Sequence, residues 1–359
     1  MASLCILIGG LAPDASVGTL ASTSGGPPTP LQAFPAFGDA PSYLAFSPDG
    51  AVAYAANHDI PAPGVTPVAL TWGPSGCLAA AAALQPLVPA PDPCHVAVHP
   101  SGRWLFSASY SNGSVSVFPI LPGGLLGAPN TTVLGRNAHQ AVFWGGGAEV
   151  LVPLLGSDAV AVLGVDASSG ALALRQMLAL PAGSGPRHLV VHPTNPARAY
   201  LALELSSSVA QLQRSEGGAW EVLGAPASAL RSGLPPAAVQ AAAAIAVSPD
   251  ARFLYVSNRA SPQGAGDNSI AVFALGEGGA LGPAPVSWAT GGQGQQALYF
   301  PRDFALSPSG DALVAASQRA GTVTLFARDS DTGALAFVST VPSAPLSTPT
   351  FVHLRALPS

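Results

Sequence analysis

The sequence contains no lysine, and only 9% of its 359 residues are charged. All 13 basic residues are arginines that form no cluster, and the net charge is -5, which argues against a nucleic-acid partner. Long hydrophobic runs are also absent, because the candidate runs 78–84 and 241–247 fall far short of the ~18 residues that a membrane span requires. We therefore expect a cytoplasmic protein that binds neither nucleic acid nor membranes, with an organelle-targeted form left open.

Cysteine is scarce as well, with Cys5, Cys77 and Cys94 as the only three. Their odd number and their spacing, which is not that of a metal site, predict ordinary buried or surface thiols in a reducing compartment. The sequence has no H-E-x-x-H, G-x-S-x-G or phosphate-loop motif, so we expect neither a metal nor another cofactor. The N-terminal apolar segment has no basic residues before it, which favours a first strand over a signal peptide.

Glycine and proline are abundant, at 40 and 37 residues, which favours many short strands joined by turns. One pattern recurs along the chain: a polar or proline-marked start, four apolar residues, a tight turn such as SPDG or HPSG, and a second strand. The first strands of these repeats begin near residues 43, 95, 141, 188, 244, 303 and 350. A spacing of roughly 50 residues with about four strands per unit is the signature of a β-propeller.

We therefore predict an all-β fold, a seven-bladed β-propeller that forms a single domain over residues 1–359. The seventh repeat is only one strand long, and strands near residues 4–8 and 17–21 precede the first complete repeat. Pairing of these N-terminal strands with the C-terminal strand would close the ring and remove two exposed sheet edges. The alternative, two stacked β-sandwiches, explains neither the spacing nor the incomplete last repeat.

The repeat also predicts where polar residues meet. In a propeller, the start of each channel-lining strand and the end of the next strand lie at the same mouth of the channel. Glu204, between two leucines, needs a positively charged partner if it is buried, and Arg187 and Arg259 lie at the right phase. Any one such residue fits an ordinary strand end, but several of the few charges share this phase. The residues at this mouth are Ser42, Asn57, His58, His95, Tyr110, His139, Leu155, Ser157, Arg187, His188, Glu204, Arg259, Arg302, Gln318, Arg319 and Thr350.

The chain resembles the seven-bladed-propeller lactonases, which include bacterial-type 6-phosphogluconolactonase and fungal carboxy-muconate lactonizing enzyme. The resemblance extends from residue 41 to residue 354. It is most specific in GPRHLVVHP (185–193), ELSSSV (204–209), SPDARFLYVSNR (248–259) and PRDFALSPSGDALVAASQ (301–318).

The resemblance implies a set of catalytic residues, which in this sequence are His139, Arg187, Glu204 and Arg259. We expect His139 to act as general base and both arginines to bind the anionic group and the developing negative charge. Further residues of the same mouth are expected to bind substrate: His95, Tyr110, His188, Asn258 and Arg302. The chain departs from the family at Asn137, Leu154 and Leu203, where the family has a histidine, an acidic residue and an asparagine.

The implied function is hydrolysis of 6-phosphogluconolactone to 6-phosphogluconate in the pentose phosphate pathway, with a small anionic lactone as the binding partner. Because arginine binds phosphate and carboxylate alike, one alternative is a lactonase or cycloisomerase for another sugar or muconate-type lactone. The departures from the family pattern leave a second alternative, a non-catalytic propeller that binds partners. We expect a monomer, although the sequence leaves the oligomeric state open.

Overall fold

The computed structural model describes residues 4–11, 17–22, 32–232, 239–261, 266–291, 298–344 and 346–357. The helices in these ranges are single 3-10 turns, none of them long or apolar enough to cross a membrane. They lie at Pro35–Phe37, Pro122–Gly124, Gly145–Gly147, Leu155–Ser157 and Glu277–Gly279. Almost all regular structure is therefore β-strand.

The strands form seven antiparallel sheets, which are the blades of a seven-bladed propeller. The chain begins in blade 7 with β1 (Leu4–Gly10), β2 (Val17–Ser22) and β3 (Gln32–Phe34). Blade 1 contains β4 (Pro41–Phe46), β5 (Val52–Asn57), β6 (Gly64–Trp72), β7 (Leu78–Ala83) and the short β8 (Val88–Pro89). Blade 2 contains β9 (Pro93–Val98), β10 (Trp104–Ser109), β11 (Ser114–Pro119) and β12 (Asn130–Val133). Blade 3 contains β13 (Val142–Trp144), β14 (Glu149–Leu154), β15 (Ala159–Val165) and β16 (Leu172–Ala179).

The second half of the ring follows the same plan. Blade 4 contains β17 (Pro186–Val191), β18 (Arg198–Leu203), β19 (Ser208–Arg214) and β20 (Trp220–Ser228). Blade 5 contains β21 (Val239–Val247), β22 (Phe253–Ser261), β23 (Ser269–Ala274) and β24 (Ser287–Ala289). Blade 6 contains β25 (Pro301–Leu306), β26 (Ala312–Ser317), β27 (Thr322–Arg328) and β28 (Leu335–Pro342). The last strand, β29 (Pro349–Ala356), returns to blade 7.

Ring closure occurs as the sequence predicts. Strand β29 pairs antiparallel with β1, so that Leu4 lies opposite Ala356 and Ile8 lies opposite Val352, and β2 and β3 complete the sheet. One blade thus combines both ends of the chain, which removes the sheet edges that β1 and β29 would otherwise expose. The prediction of a seven-bladed propeller closed in this way is confirmed.

The hydrophobic core lies between successive blades, because each sheet buries both faces against its neighbours. Tyr200, Leu254 and Phe273, for example, belong to one buried cluster shared by blades 4 and 5. The inner strands line the channel, and SPDG-type turns follow them. In the turn of blade 1, the hydroxyl of Ser47 donates to Asp49 and accepts from the backbone N–H of Val52. This turn is thus stabilised by its own side chains, whereas the turn before β22 is also contacted by Arg328 of blade 6, which donates to Asp250.

The expectation of free thiols is wrong for two of the three cysteines. Cys5 in β1 and Cys77 before β7 form a disulfide across 72 residues of sequence, whereas Cys94 is a free, buried thiol. The pairing depends on how blade 7 packs against blade 1, which cysteine spacing alone does not reveal. The bond also bears on location, because disulfides are rare in reducing compartments.

Candidate active site

One mouth of the channel contains a cavity of about 230 Å³, which we call the arginine cavity. It is lined by His58, Cys94, Tyr110, His139, Arg187, Glu204, Arg259 and Arg302. These residues come from blades 1 to 6, each at the start of an inner strand or at the end of the strand that follows it. Side chains that are far apart in sequence therefore meet because every blade presents the same two strand ends to this mouth.

A recurrent bulge at the start of the inner strands turns side chains into the channel. In β4, β9, β17 and β25 the antiparallel register is interrupted directly after the first proline. The skipped residues include Cys94, Arg187 and Arg302, and all three line the arginine cavity. A β-bulge leaves its extra residue outside the ladder and re-aims its side chain, which explains how a strand start can supply a cavity residue.

Glu204 links two of the arginines. Its Oε2 lies 3.0 Å from Nε of Arg187 and 2.8 Å from Nη2 of Arg259. Both contacts are ion pairs by distance, but neither arginine nitrogen is aligned for a hydrogen bond. One carboxylate oxygen is thus shared by two guanidinium groups, and each of them retains N–H groups without a hydrogen-bond partner among the described residues.

The cavity is rich in positive charge with few acceptors. Burial, and next the charge of Arg259, lowers the pKa of Arg187 to about 9, so that it still carries its charge at neutral pH. Burial and the same neighbouring charge also lower the pKa of Arg302. Nη1 of Arg187 and Nε of Arg259 have no hydrogen-bond partner among the described residues. Buried donors without acceptors are costly, so this arrangement is suited to an anionic ligand that supplies them.

His139 lies on the cavity wall as a neutral ring. Burial, followed by the charge of Arg187, holds its pKa well below the usual histidine range. Its Nδ1 is buried and has no hydrogen-bond partner among the described residues. The edges of Tyr110 and His188 fix the ring from two sides, at centroid distances of 6.0 and 5.0 Å. The lone pair of His139 is therefore available to accept a proton inside the cavity.

Two of the expected substrate-binding histidines lie elsewhere. His95 and His188 do not line the arginine cavity; they continue the aromatic column into the channel and pack against Tyr43. His95 accepts a hydrogen bond from the backbone N–H of Ala141, and His188 lines a second cavity of about 430 Å³ toward the other end of the channel. Position in the repeat identified their strand ends correctly, but it could not show how far along the channel each side chain reaches.

Asn258 does not line the arginine cavity either. Its side chain is completely buried, and its amide donates to the backbone of Ala229 and to Ser269. Asn57 holds the corresponding position in blade 1 and donates in the same way to Phe37 and Thr66. Both asparagines therefore tie a strand end to a neighbouring segment. Tyr110 and Arg302, in contrast, do line the cavity.

Cys94 was not among the candidate residues predicted from sequence. The signal for it was the proline that begins five of the seven inner strands, because a bulge follows that proline in β4, β9, β17, β25 and β29. At two positions where the chain departs from the family pattern, Leu154 and Leu203, the side chains are buried within the blades rather than exposed to the cavity. No cluster of metal-binding side chains occurs in the described ranges.

The comparisons with known proteins agree with this fold. The model of a family described as "Lactonase, 7-bladed beta-propeller" matches residues 16–354. A protein named 6-phosphogluconolactonase from Yersinia pestis (strain Pestoides F) is 30% identical over 250 residues, covering 69% of this chain and 70% of its own. A crystal structure of a protein from Lactobacillus plantarum superposes with a TM-score of 0.83 at 28% identity, covering 98% of this chain and 99% of that one. The periplasmic gluconolactonase of Pseudomonas aeruginosa has the same TM-score at 24% identity, covering 99% of this chain and 100% of its own, a likeness that shows the fold.

Proposed function

The chain belongs to the seven-bladed β-propeller lactonase family, and from this premise we propose that it is a lactone hydrolase of the 6-phosphogluconolactonase type. The observation that carries the proposal is the arginine cavity. Three arginines line it together with one carboxylate, that of Glu204, which is ion-paired with two of them, and these two retain N–H groups without a hydrogen-bond partner among the described residues. A phosphorylated or carboxylated lactone supplies the acceptors that these groups lack.

The reaction needs a water molecule activated at the lactone carbonyl and a site for the oxyanion that results. His139 takes the proton from water with its free Nδ1, because its neutral form persists at physiological pH. Arg187 and Arg259 bind the anionic group and stabilise the oxyanion as the carbonyl becomes tetrahedral. Glu204 holds both guanidinium groups in place through its two ion pairs. Each of these roles follows from the residue's position on the cavity wall.

The substrate we propose is 6-phosphogluconolactone. Relatives at about 30% identity carry that name, and a phosphate matches the surplus of positive charge in the cavity. A carboxylated lactone would satisfy the same arginines, so substrates must be compared directly. Initial rates with 6-phosphogluconolactone, gluconolactone and a muconolactone, each corrected for spontaneous opening, distinguish these possibilities. A preference for the phosphorylated lactone supports the proposal, and equal rates with gluconolactone would contradict the proposed role of phosphate.

Two arginines at opposite ends of one strand give a matched test. Arg259 lies near the end of β22 in the cavity, whereas Arg252 lies before its start, half exposed and bonded to the backbone of Ser330 and Asp331. We expect Arg259→Ala to lower kcat/KM for 6-phosphogluconolactone by about 100-fold or more, since one donor to an oxyanion contributes that much. Arg252→Ala should retain the wild-type value. If wild type does not exceed the spontaneous rate with any lactone, the proposed function is wrong.

The cytoplasmic location and the monomeric state stay predictions. The Cys5–Cys77 disulfide counts against the first of them, because such bonds form and persist mainly in oxidising compartments.

A further inference from the structure

Arg187 reaches the arginine cavity from a bulge, so the contacts that hold this bulge determine where its guanidinium group lies. In the register of β17 with β18, Pro186 and Leu189 are paired, but the two residues between them, Arg187 and His188, are not. A residue left outside the ladder is not fixed by strand pairing itself. The position of Arg187 therefore depends on what holds the two ends of the bulge.

Asp158, in blade 3, holds the segment that leads into this bulge. Its Oδ2 accepts the backbone N–H of Gly183 at 2.8 Å, and its Oδ1 accepts the backbone N–H of Gly185 at 2.8 Å and the hydroxyl of Ser184 at 3.3 Å. The hydrogen bond from Gly185 is the largest cause of a lowered pKa for Asp158, so the side chain is a carboxylate at neutral pH. Three consecutive residues thus donate to a single side chain of the neighbouring blade.

The same segment is bonded to the strand end that carries Glu204. The backbone carbonyl of Gly185 accepts the N–H of Glu204 at 2.7 Å, and that of Ser184 accepts the N–H of Leu205 at 3.1 Å. The φ of Gly185 is +62°, and a Cβ there would overlap the side chain of Leu205, so the close approach requires glycine. Gly185 therefore links Asp158 to Glu204, whose carboxylate forms the two ion pairs in the cavity.

Gln140, also in blade 3, holds the other end of the bulge. Its Oε1 accepts the backbone N–H of Leu189, where the pairing of β17 resumes. Gln140 directly follows His139, whose own backbone N–H donates to Pro153 of β14. Side chains of blade 3 thus hold blade 4 on both sides of Arg187, and they relate it to the histidine proposed as general base.

The backbone of Asp158 explains why an aspartate suits this position. Its φ of 48° lies in the left-handed region, which aspartate and asparagine adopt more readily than other residues with a side chain. In this conformation Asp158 ends the 3-10 turn Leu155–Ser157 and directly precedes β15. Backbone preference and side-chain acceptors therefore favour the same residue.

We propose that Asp158 is a positioning residue of the active site: through residues 183–185 it fixes Arg187 and Glu204 of blade 4 relative to His139 of blade 3. The inference rests on the proposed lactonase function and adds to it a residue that is not among those lining the arginine cavity. Its basis is preorganisation, because guanidinium donors stabilise an oxyanion only from the correct distance, and a displacement of about 1 Å costs about 100-fold in rate.

The first test compares the two aspartates that flank β15. Asp166 directly follows this strand, and its carboxylate accepts the N–H groups of Ser168 and Ser169 within its own turn. We expect Asp158→Ala to lower kcat/KM for 6-phosphogluconolactone, corrected for spontaneous hydrolysis, by about 30-fold. Asp166→Ala removes hydrogen bonds of the same kind and should retain the wild-type value.

Asp158→Asn separates geometry from charge. Asparagine keeps the left-handed backbone and one accepting oxygen, but it loses the second acceptor and the negative charge. We therefore expect a loss of only about threefold in kcat/KM. If the Asn variant loses as much activity as the Ala variant, the charge of Asp158 is what matters, and the positioning role is wrong.

A double-mutant cycle tests whether Asp158 acts through Arg187. Effects of residues that act independently multiply in the rate, whereas effects of residues that act through one another do not. In a protein that already carries Arg187→Ala, Asp158→Ala should lower kcat/KM by at most about threefold more, since the group that it positions is gone. A purely structural role would instead give the full loss again, and that result would overturn the inference.

The outcomes separate this inference from the proposed function. A wild-type protein that does not exceed the spontaneous rate overturns the lactonase function and this inference with it. An active wild type whose Asp158→Ala variant behaves like Asp166→Ala overturns the inference alone. Circular dichroism and the melting temperature of each variant show whether the fold is retained. If Asp158→Ala does not fold, Asp158→Asn takes its place in the cycle, and its smaller loss should disappear when Arg187 is absent.

Discussion

Arg187 and Arg328 are both buried, with side chains 3% and 2% exposed, but they lie at opposite ends of the blades. Burial alone would lower the pKa of both. At the turn end, hydrogen bonds from Arg328 to Asp250 and Tyr255 outweigh burial and raise its pKa, and the backbone carbonyl of Gly310 accepts another N–H. At the channel mouth Arg187 has only a shared carboxylate, and its pKa is lowered.

The same contrast holds for histidine. Nδ1 of His192, in the turn after β17, accepts the backbone N–H groups of Thr194 and Asn195 at 3.3 and 3.0 Å. Nδ1 of His139, in the arginine cavity, has no such partner among the described residues. Polar side chains at the turn end are thus satisfied within the protein and stabilise it. Those at the mouth are left partly unsatisfied, which is the condition for binding a ligand.

The largest effect is expected for Arg187→Ala. Loss of this guanidinium should lower kcat/KM by about 1000-fold, because it removes both charge and hydrogen-bond donors from the anion. Stability should be unchanged or higher, since burial and Arg259 disfavour the charged form of Arg187 in the folded state. Rate measurements and urea unfolding of one preparation check both parts. A clear loss of stability would mean that Arg187, like Arg328, is stabilised by its partners in the folded protein.

Removing the disulfide should affect stability without affecting the mouth. Cys77→Ala opens a covalent loop of 72 residues, and the entropy of such a loop corresponds to about 4 kcal/mol in the free energy of unfolding. The lactonase rate at 25 °C should be retained, because the bond joins blade 7 to the outer part of blade 1. Wild type unfolded in the presence of dithiothreitol is the control and should show the same loss.

Arg328→Ala is the counterpart of Arg187→Ala. It leaves Asp250 without its ion-pair partner and should lower the free energy of unfolding by about 2 kcal/mol, less than for a fully buried pair because Asp250 is 32% exposed. The kcat/KM should stay within about twofold of wild type. Chemical unfolding and the lactone assay measure the two quantities. A large loss of activity with unchanged stability would contradict the distinction between the two ends.

The smallest effect concerns the pH dependence of stability. His139 has a folded pKa well below that of the unfolded chain, so the unfolded chain binds a proton near pH 6.5 that the folded protein does not. Stability therefore falls as pH decreases from 6.5, by up to about 1.4 kcal/mol per pH unit for each such histidine. His139→Ala should reduce the slope by that amount. Asp303, whose pKa burial raises to about 6, acts in the opposite direction but equally in both proteins. Identical slopes would show that His139 is not held neutral.

The repeat made most of the fold predictable. Turn chemistry and spacing depend on local sequence, so the inner strands and the incomplete seventh blade were found at the right positions. The candidate active site was harder to predict from the sequence. Phase placed Arg187, Glu204 and Arg259 at one mouth, but it could not distinguish Arg302, which lines the cavity, from His95, which continues along the channel. That distinction depends on bulges and side-chain direction, which are set by the register of two strands rather than by either alone.

The disulfide and the hydrogen bonds of Asn258 could not be predicted for a related reason. Cys77 meets Cys5 only when blade 7 packs against blade 1, and Asn258 finds its acceptors on segments that other parts of the chain bring to it. Contacts between blades depend on how two blades pack, even where they recur, as when Tyr200 and Tyr255 each donate to a glycine carbonyl of the next blade.

Blade 7 has a consequence for biosynthesis. Its outer strands β1, β2 and β3 are synthesised before blades 1 to 6, but their inner partner β29 is synthesised after them. Among the described residues, the arginine cavity takes its lining from blades 1 to 6 alone, so every one of these side chains has been synthesised before the ring can close. A nascent chain halted before residue 349 thus carries the whole lining on an arc without its last inner strand. Synthesis of β29 and closure of the ring, rather than synthesis of the site, should be the step at which the enzyme becomes competent.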